Sequence, residues 1–257
     1  MQNLFSLEGR NALITGGSRG IGLMIARGLA SHGAQVWLLA RKASEVDAAA
    51  HSLRDAGHGA HSIVADLSRL EEIDRVAEIM AGACPKLDIL VNNAAAVWNM
   101  RFADFTAEGW DKVANLNVRA PFFLIQRLLP LLEAAAISAG PARVINVAST
   151  DAMHVPLSET YSYTAAKAGL IMVTRMLCKQ LGPRAITVNA LAPGAFETRM
   201  TARLFETRGQ DYLSKIPLGR FGMAEDIAGA AIFLASRAGA YVNGSVLAVD
   251  GGWLGAL

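Results

Sequence analysis

Tyr163 and Lys167 stand four residues apart in Tyr163-Thr-Ala-Ala-Lys167. In a helical stretch that spacing puts both side chains on one face. A phenol beside an ammonium suits one kind of proton chemistry. Hydride delivered to a carbonyl carbon leaves an alkoxide that needs a proton, and a free phenol with a pKa of about 10 exchanges protons poorly near neutrality. A neighbouring ammonium favours the phenolate and burial opposes it, so the charge on Lys167 is expected to outweigh burial. Ser149, fourteen residues before Tyr163, stands at the end of an apolar run and is expected to polarise a carbonyl oxygen. Thr150 is the fallback for that role. Tyr161 has Ala165 four residues on rather than a lysine, and reads as a packing or substrate-contact residue.

A second constellation lies near the start of the chain. Thr15-Gly-Gly-Ser-Arg-Gly-Ile-Gly22 follows a short apolar run and opens a helical pattern. Glycines there let the backbone turn tightly and approach a pyrophosphate, and free amides at a helix start favour negative charge. The spacing Gly16-x-x-x-Gly20-x-Gly22 is wider than the common G-x-G-x-x-G in its first pair. The next apolar run ends in Ala40-Arg41-Lys42, where a site for NAD would carry a carboxylate for the ribose hydroxyl. Two cations, with Arg19 as a third, suit a 2′-phosphate instead, and predict a preference for NADP(H). The alternative is that Arg41 and Lys42 are solvated loop charges.

The elements that must position these groups are legible as alternation. Apolar, β-branched runs at 12–15, 35–40, 61–65, 89–92, 144–147, 186–189 and 246–249 read as strands buried on both faces. Between them, helical patterns cover 21–31, 44–56, 69–82, 107–132, 160–182 and 224–236. Such alternation predicts an α/β fold, a doubly wound parallel seven-stranded sheet. With no linker, repeat or low-complexity tract, residues 1–257 read as one domain. Its cofactor half is about 1–150 and its catalytic and substrate half about 151–257. Segment 195–217 breaks the rhythm and reads as a cover over the site.

Composition excludes other classes. Of 257 residues, 53% are hydrophobic and 18% charged, with mean hydropathy +0.31, which is incompatible with disorder. No uncharged stretch reaches the ~18–20 apolar residues of a spanning helix, so no membrane association is expected. Net charge is +2, from 24 Lys+Arg against 22 Asp+Glu, and no basic run exceeds two residues, which points away from nucleic acid. Cys84 and Cys178 make no disulfide framework, and the start of the chain lacks a secretory pattern, so a cytoplasmic setting is expected. The five histidines have no cysteine or carboxylate cluster beside them, and no metal site is expected within the chain.

Taken together, the motifs resemble those of the short-chain dehydrogenase/reductase family over essentially the whole length. They are Thr15–Gly22, Asp66 in Ala-Asp-Leu-Ser, Asn92-Asn-Ala94, Asn117 in Leu-Asn-Val, Ser149, Tyr163 with Lys167, Pro193-Gly194 with Thr198, and Asp250-Gly-Gly252. The resemblance implies a Rossmann fold, with Tyr163 as general acid/base and Lys167 as its electrostatic modulator and a ribose ligand. It implies Ser149 as substrate orienter, and Asn117, rather than its neighbour Asn115, as holder of a water linking Lys167 to solvent. For the cofactor it implies Gly16, Ser18, Arg19, Gly20, Ile21 and Gly22 at the phosphates, Asp66 and Leu67 at the adenine, and Asn93, Ala94 and Ala95 along the adenine ribose. Pro193, Gly194, Phe196 and Thr198 would line the nicotinamide. Two departures stand out: Ala95 where the family usually has glycine, and one residue more than is common between Ser149 and Tyr163.

Within the family, Phe5-Ser-Leu-Glu-Gly-Arg10, Leu87-Asp-Ile-Leu-Val-Asn-Asn93 and the tail to Gly252 are most similar to NADPH-dependent 3-oxoacyl (β-ketoacyl) reductases of the rhamnolipid-synthesis type. The expected reaction is reduction of a ketone to a secondary alcohol, the substrate a 3-oxoacyl thioester or similar hydrophobic ketone. The alternatives are a polyol, sugar-acid or cyclic-alcohol dehydrogenase, and a dinucleotide-binding sensor or scaffold without turnover. Trp98, Met153, His154, Phe196, Met200 and Leu204 are the candidate pocket lining, an apolar set that core packing would explain equally well. Arg199, Arg203 and Arg208 fit an exposed helix face better than a surface for an acidic carrier protein. Helices 107–132 and 160–182 and the tail from Trp253 are apolar on more than one side, which implies an oligomer. The resemblance implies a homotetramer, in some relatives with a structural magnesium at subunit contacts.

Overall fold

The computed structural model describes residues 3–137, 140–199 and 201–256, apart from the side chains at 203–205 and 208. Among these residues, seven apolar runs form β1 (Asn11–Thr15), β2 (Gln35–Ala40), β3 (Ala60–Val64), β4 (Ile89–Asn92), β5 (Ala142–Val147), β6 (Ile186–Pro193) and β7 (Val246–Val249). They make one parallel sheet in the order β3-β2-β1-β4-β5-β6-β7. The helices are α1 (Gly20–Ser31), α2 (Ala43–Asp55), α3 (Leu70–Ala83), α4 (Ala107–Ala114), α5 (Ala120–Ala135), α6 (Tyr161–Leu181), α7 (Ala202–Leu213) and α8 (Ala224–Ala235).

Residue alternation explains why the central strands read as continuous apolar runs. Successive side chains of a strand point to opposite faces. Ala12 and Ile14 enter a core with α1, α2 and α8, whereas Leu13 of the same strand enters a core with α3 and α5. Both faces are covered, so both sets must be apolar. Burial gives way at the two sheet edges: Val64 of β3 is 40% exposed, and β7 is nowhere fully buried.

The strand order reverses at β1, which pairs with β2 on one side and β4 on the other. At such a point the connections leave in opposite directions and open a crevice beyond the strand ends. The Thr15–Gly22 turn, Asn93 and Ser149 all lie at that edge of the sheet.

The pattern over 107–132 predicts one helix, and the structure divides it. Thr106 caps α4, its hydroxyl accepting from the Gly109 amide at 3.1 Å. Between α4 and α5, Asn115–Arg119 form a π turn, with Asn117 fully buried in it. Such one-turn widenings recur at functional sites.

A buried polar chain fixes α6 against the sheet. The Asn92 amide donates to Asn146 Oδ1 at 2.9 Å, Asn146 donates to Thr174 Oγ1 at 2.8 Å, and Thr174 donates to the Leu170 carbonyl at 2.8 Å. These groups are at most 3% exposed, so each bond has no water to replace it. Trp253, at the start of the apolar tail, is 4% exposed and packed edge-on against Tyr212 with ring centroids 5.1 Å apart. No helix of the described residues is long and apolar enough to cross a membrane.

Replacing Asn146 by alanine strands the Asn92 amide. The expected loss is about 1–3 kcal/mol of folding stability, seen as a fall in Tm of roughly 2–4 °C per kcal/mol for a chain of this size. An unchanged Tm in a thermal melt would show that the chain of bonds carries no weight.

Candidate active site

The glycine turn is held from across the sheet. Thr15 Oγ1 accepts the amides of Asn93 and Ala94 at 2.9 and 3.0 Å, and the Asn93 side chain donates to the carbonyls of Thr15 and Gly16 at 2.9 and 3.2 Å. Side chains at two of the glycines would destroy this contact. A Cβ on Gly16, where φ is +65°, would lie 2.7 Å from Asn93 Nδ2, and one on Gly22 would lie 2.3 Å from the Gly16 carbonyl oxygen. Gly20 differs: a Cβ there meets only Thr198, at 3.5 Å, so Thr198 stands within van der Waals reach of the turn. The first turn of α1 has no side-chain cap, which leaves its amides for an anion. Ser18 and Ile21 sit half-buried on the rim of this turn. Asn93 thus has its amide nitrogen committed to the turn, and only its oxygen remains for a ribose.

Arg41 and Lys42 are both exposed at the end of β2. Arg41 lies 3.9 Å from Asp66 Oδ2, while Lys42 and Arg19 pair with Glu45 at 3.3 and 3.2 Å. Asp66 Oδ1 accepts from the amide and hydroxyl of Ser68 at 3.0 and 2.8 Å. Leu67 turns its side chain into the core at 4% exposure. Ala95 lies half-buried beside Ala94, before Ala96.

Asn117 spends its side chain on structure: Oδ1 accepts from the Ala96 amide at 2.8 Å and Nδ2 donates to the Ala96 carbonyl at 2.9 Å. Across from it, α6 presents Tyr163 and Lys167. The Lys167 ammonium donates to the Val147 carbonyl at 2.5 Å and lies 5.8 Å from the centre of the Tyr163 ring. Ser149 is 8% exposed at the end of β5, and its hydroxyl accepts from the Asp151 amide at 3.1 Å. Thr150 is drawn away, donating to the Pro193 carbonyl at 3.3 Å. Tyr161 turns outward, its hydroxyl donating to Glu159 at 3.0 Å.

The electrostatics reverse the expected balance. Burial pushes the Tyr163 phenol up to about 12, the Asp151 carboxylate adds to the rise, and a hydrogen bond from Ser149 only partly offsets them. Burial likewise pushes the Lys167 ammonium down to about 7. Lys167 is itself desolvated, and what lowers the phenol is the Ser149 hydrogen bond rather than the lysine charge, so burial prevails. Asp151 carries no sequence signal, yet it stands beside the phenol, its own carboxyl raised by burial and pulled down by His154. His154 Nε2 is 3.6 Å from Asp151 Oδ1, and the His154 ring packs on Trp253 with centroids 5.4 Å apart.

The expected pocket lining is only partly brought together. Met153 is 48% exposed on the loop after Ser149, with Val155 and Leu157 beside it also exposed. Trp98 is fixed on α4, its ring against Gly109 and under the Lys112 ammonium at 5.0 Å. Phe196, expected against both cofactor and substrate, is 2% exposed with its ring seated on Gly222 in the core. An apolar residue three positions past a buried strand end reaches the core as readily as the crevice. Met200 and the side chain of Leu204 lie outside the described residues. Gly194 donates to the Val249 carbonyl at 3.0 Å and approaches Asp250 closely, a Cβ there falling 2.8 Å from Asp250 Cα. Thr201, unmarked in the sequence, ties the turn that carries Thr198: its Oγ1 accepts from the Thr198 amide at 2.9 Å and donates to the Phe196 carbonyl at 2.6 Å. Among the described residues no group of three or more His, Cys, Asp or Glu is placed to hold a metal ion.

Fold and site together are those of a dinucleotide-dependent oxidoreductase. A family model described as enoyl-(acyl carrier protein) reductase matches residues 16–254. The chain is 43% identical to the rhamnolipids biosynthesis 3-oxoacyl-(acyl-carrier-protein) reductase of Pseudomonas aeruginosa, covering 98% of this chain and 99% of that one. It is 39% identical to gluconate 5-dehydrogenase of Gluconobacter oxydans, covering 97% and 96%. The solved Pseudomonas aeruginosa RhlG/NADP active-site complex matches with a TM-score of 0.93 at 43% identity, over 98% of this chain and 99% of that one. The chain belongs to the short-chain dehydrogenase/reductase family.

Proposed function

We propose that this chain is an NADP(H)-dependent reductase that converts a ketone to a secondary alcohol, with a 3-oxoacyl thioester as its substrate class. The observation that carries the reading is the meeting of Tyr163, Lys167 and Ser149 at the strand ends that also bear the glycine turn. A sensor or scaffold has no use for a buried lysine beside a phenol.

The residues fit a dinucleotide: the start of α1 has no side-chain cap and leaves its amides for a pyrophosphate, and Arg19, Arg41 and Lys42 gather at the end of β2 where a 2′-phosphate would lie. When bound, NADPH supplies hydride to the carbonyl carbon. Ser149 donates to the carbonyl oxygen and orients it. The Tyr163 hydroxyl donates its proton to that oxygen as charge develops there. Lys167 in its charged form lowers the cost of the phenolate left behind, and hydrogen-bonds a ribose hydroxyl. Both polar atoms of the Asn117 side chain are engaged with Ala96, so a water leading to Lys167 is held by the Asn117 main-chain carbonyl. The exposed Met153, Val155 and Leu157 form an apolar lip suited to an acyl chain, linked to coenzyme A or a carrier protein. A second reading, oxidation of a sugar acid, is favoured by the polar Asp151–His154 pair beside the phenol and by the gluconate 5-dehydrogenase relative. A carboxylate in that corner accepts hydroxyl groups and repels a substrate carboxylate, which weighs toward the thioester. The compartment is the cytoplasm. The assembly is a homotetramer, built on exposed apolar residues of the helices such as Trp110, Phe122, Met172 and Met176.

NADPH oxidation with acetoacetyl-CoA is expected to exceed that with 5-keto-D-gluconate by at least about tenfold in kcat/KM; the reverse order selects the sugar-acid reading. Tyr163→Phe removes the proton donor and is expected to lower kcat by about 10²–10⁴ while NADPH still binds, measured by fluorescence; activity equal to the parent would remove Tyr163 from the mechanism.

The pH dependence follows from the shifted groups. Below pH about 7 Lys167 is charged, and the Tyr163 phenol keeps its proton up to about 12. Reduction is therefore expected to be flat at low pH and to fall as pH rises through about 7, whereas alcohol oxidation, which needs phenolate, keeps rising. Lys167→Arg holds its charge throughout and is expected to abolish the fall in the reductive profile, whatever its absolute rate.

In light scattering, a stable monomer at micromolar concentration would contradict the tetramer.

A further inference from the structure

Glu45 gathers three cations from three separate stretches of chain. Arg19 comes from the glycine turn at 3.2 Å, Lys42 from the end of β2 at 3.3 Å, and Arg199 at 3.4 Å from the segment leading into α7. Arg199 is 154 residues away in sequence. The four side chains are 53%, 68%, 74% and 27% exposed for Arg19, Lys42, Arg199 and Glu45, so their mutual attraction adds little to folding. Three cations on one carboxylate are more charge than that carboxylate neutralises. Partial burial raises the Glu45 carboxyl, and Lys42, Arg19 and Arg199 together bring it below its ordinary value. Glu45 lies in the first turn of α2, a helix whose start has no side-chain cap. The neighbouring Arg41 is paired, among the described residues, with Asp66 at 3.9 Å. Meanwhile Thr198, the residue before Arg199, stands against Gly20 of the glycine turn. The segment that leads to the cover is therefore already seated on the cofactor side of the crevice.

We propose that Arg199 is a specificity-determining residue for the cofactor's 2′-phosphate, and that Glu45 stands in for that phosphate among Arg19, Lys42 and Arg199 until the phosphate displaces it. The inference rests on the NADP(H) reading above. A phosphate brings close to two negative charges and three acceptor oxygens, and arginine forks match its geometry, so it outcompetes one carboxylate for these donors. It follows that the 2′-phosphate pins the segment leading into α7, and that the cofactor's identity is felt at the substrate cover.

Calorimetric titration of the full chain with adenosine 2′,5′-bisphosphate and with ADP separates the possibilities, since only the first carries a 2′-phosphate. Loss of a charge-assisted contact in Arg199→Gln is expected to weaken the 2′,5′-bisphosphate about tenfold and to leave ADP within about twofold. Glu45→Gln removes the competitor and is expected to tighten the 2′,5′-bisphosphate several-fold. Equal weakening of both nucleotides in Arg199→Gln would assign Arg199 to the 5′-phosphate that the two share, and no weakening of either would assign it to solvent; both overturn the proposal. Weaker binding of the 2′,5′-bisphosphate to Glu45→Gln would make Glu45 a scaffold for the cations and overturn the displacement. If the parent protein itself binds ADP as tightly as the 2′,5′-bisphosphate, the NADP(H) reading fails instead.

Discussion

Lys167 holds an ammonium where water scarcely reaches, 2% exposed, with the Val147 carbonyl 2.5 Å from its Nζ. An unpaired buried cation loses most of its hydration and tends to shed its proton. No carboxylate among the described residues pairs with it, and its charge is accordingly weakly held. The rest of the site is arranged around that difficulty. The end of β5 supplies the carbonyl, α6 supplies the lysine and the phenol, and their separation is set by the Asn92–Asn146–Thr174 chain beneath them. A shift of α6 along the sheet would separate the ammonium from its one acceptor and the phenol from Ser149 at once.

Desolvation wins at both groups, and it acts in opposite directions on their charges. It keeps the phenol protonated and the lysine close to losing its proton near neutrality. That combination suits a proton donor more than a resting base. Asp151 reinforces it, since a carboxylate facing the phenol makes phenolate costlier still, while the Ser149 hydrogen bond works the other way. The chemistry is thus poised by environment rather than by the pair alone. At the floor of the same crevice Thr15 and Asn93 clasp each other across β1 and β4, where the strand order reverses.

Much of the architecture was open to inspection in the chain. The expected strands match the observed ones at most ends, the largest extension being β6, which runs on to Pro193. Buried parallel strands announce themselves as apolar runs because both faces are covered. The division of the 107–132 pattern was not visible, since the π turn accompanies a contact that Asn117 makes with Ala96, and hydrophobic period says nothing of tertiary hydrogen bonds. The burial of the Phe196 ring was hidden for a related reason: an apolar residue near the crevice reads as a pocket wall, and the ring is seated on Gly222 only once the chain has folded. Thr201, Asp151 and Glu45 carried no signal at all. A threonine, an aspartate and a glutamate in polar surroundings look like surface until the chain brings their partners to them.

The sequence by itself determined the class of fold and picked out the candidate reacting groups, because apolar periodicity, the glycine spacing and the four-residue step from Tyr163 to Lys167 are local properties of the chain. Only the tertiary structure decided which way the phenol and the ammonium titrate, and which carboxylates face them. Those outcomes depend on how much water each group loses and on the charges that distant segments place beside it, and neither quantity exists until the helices have closed over the sheet.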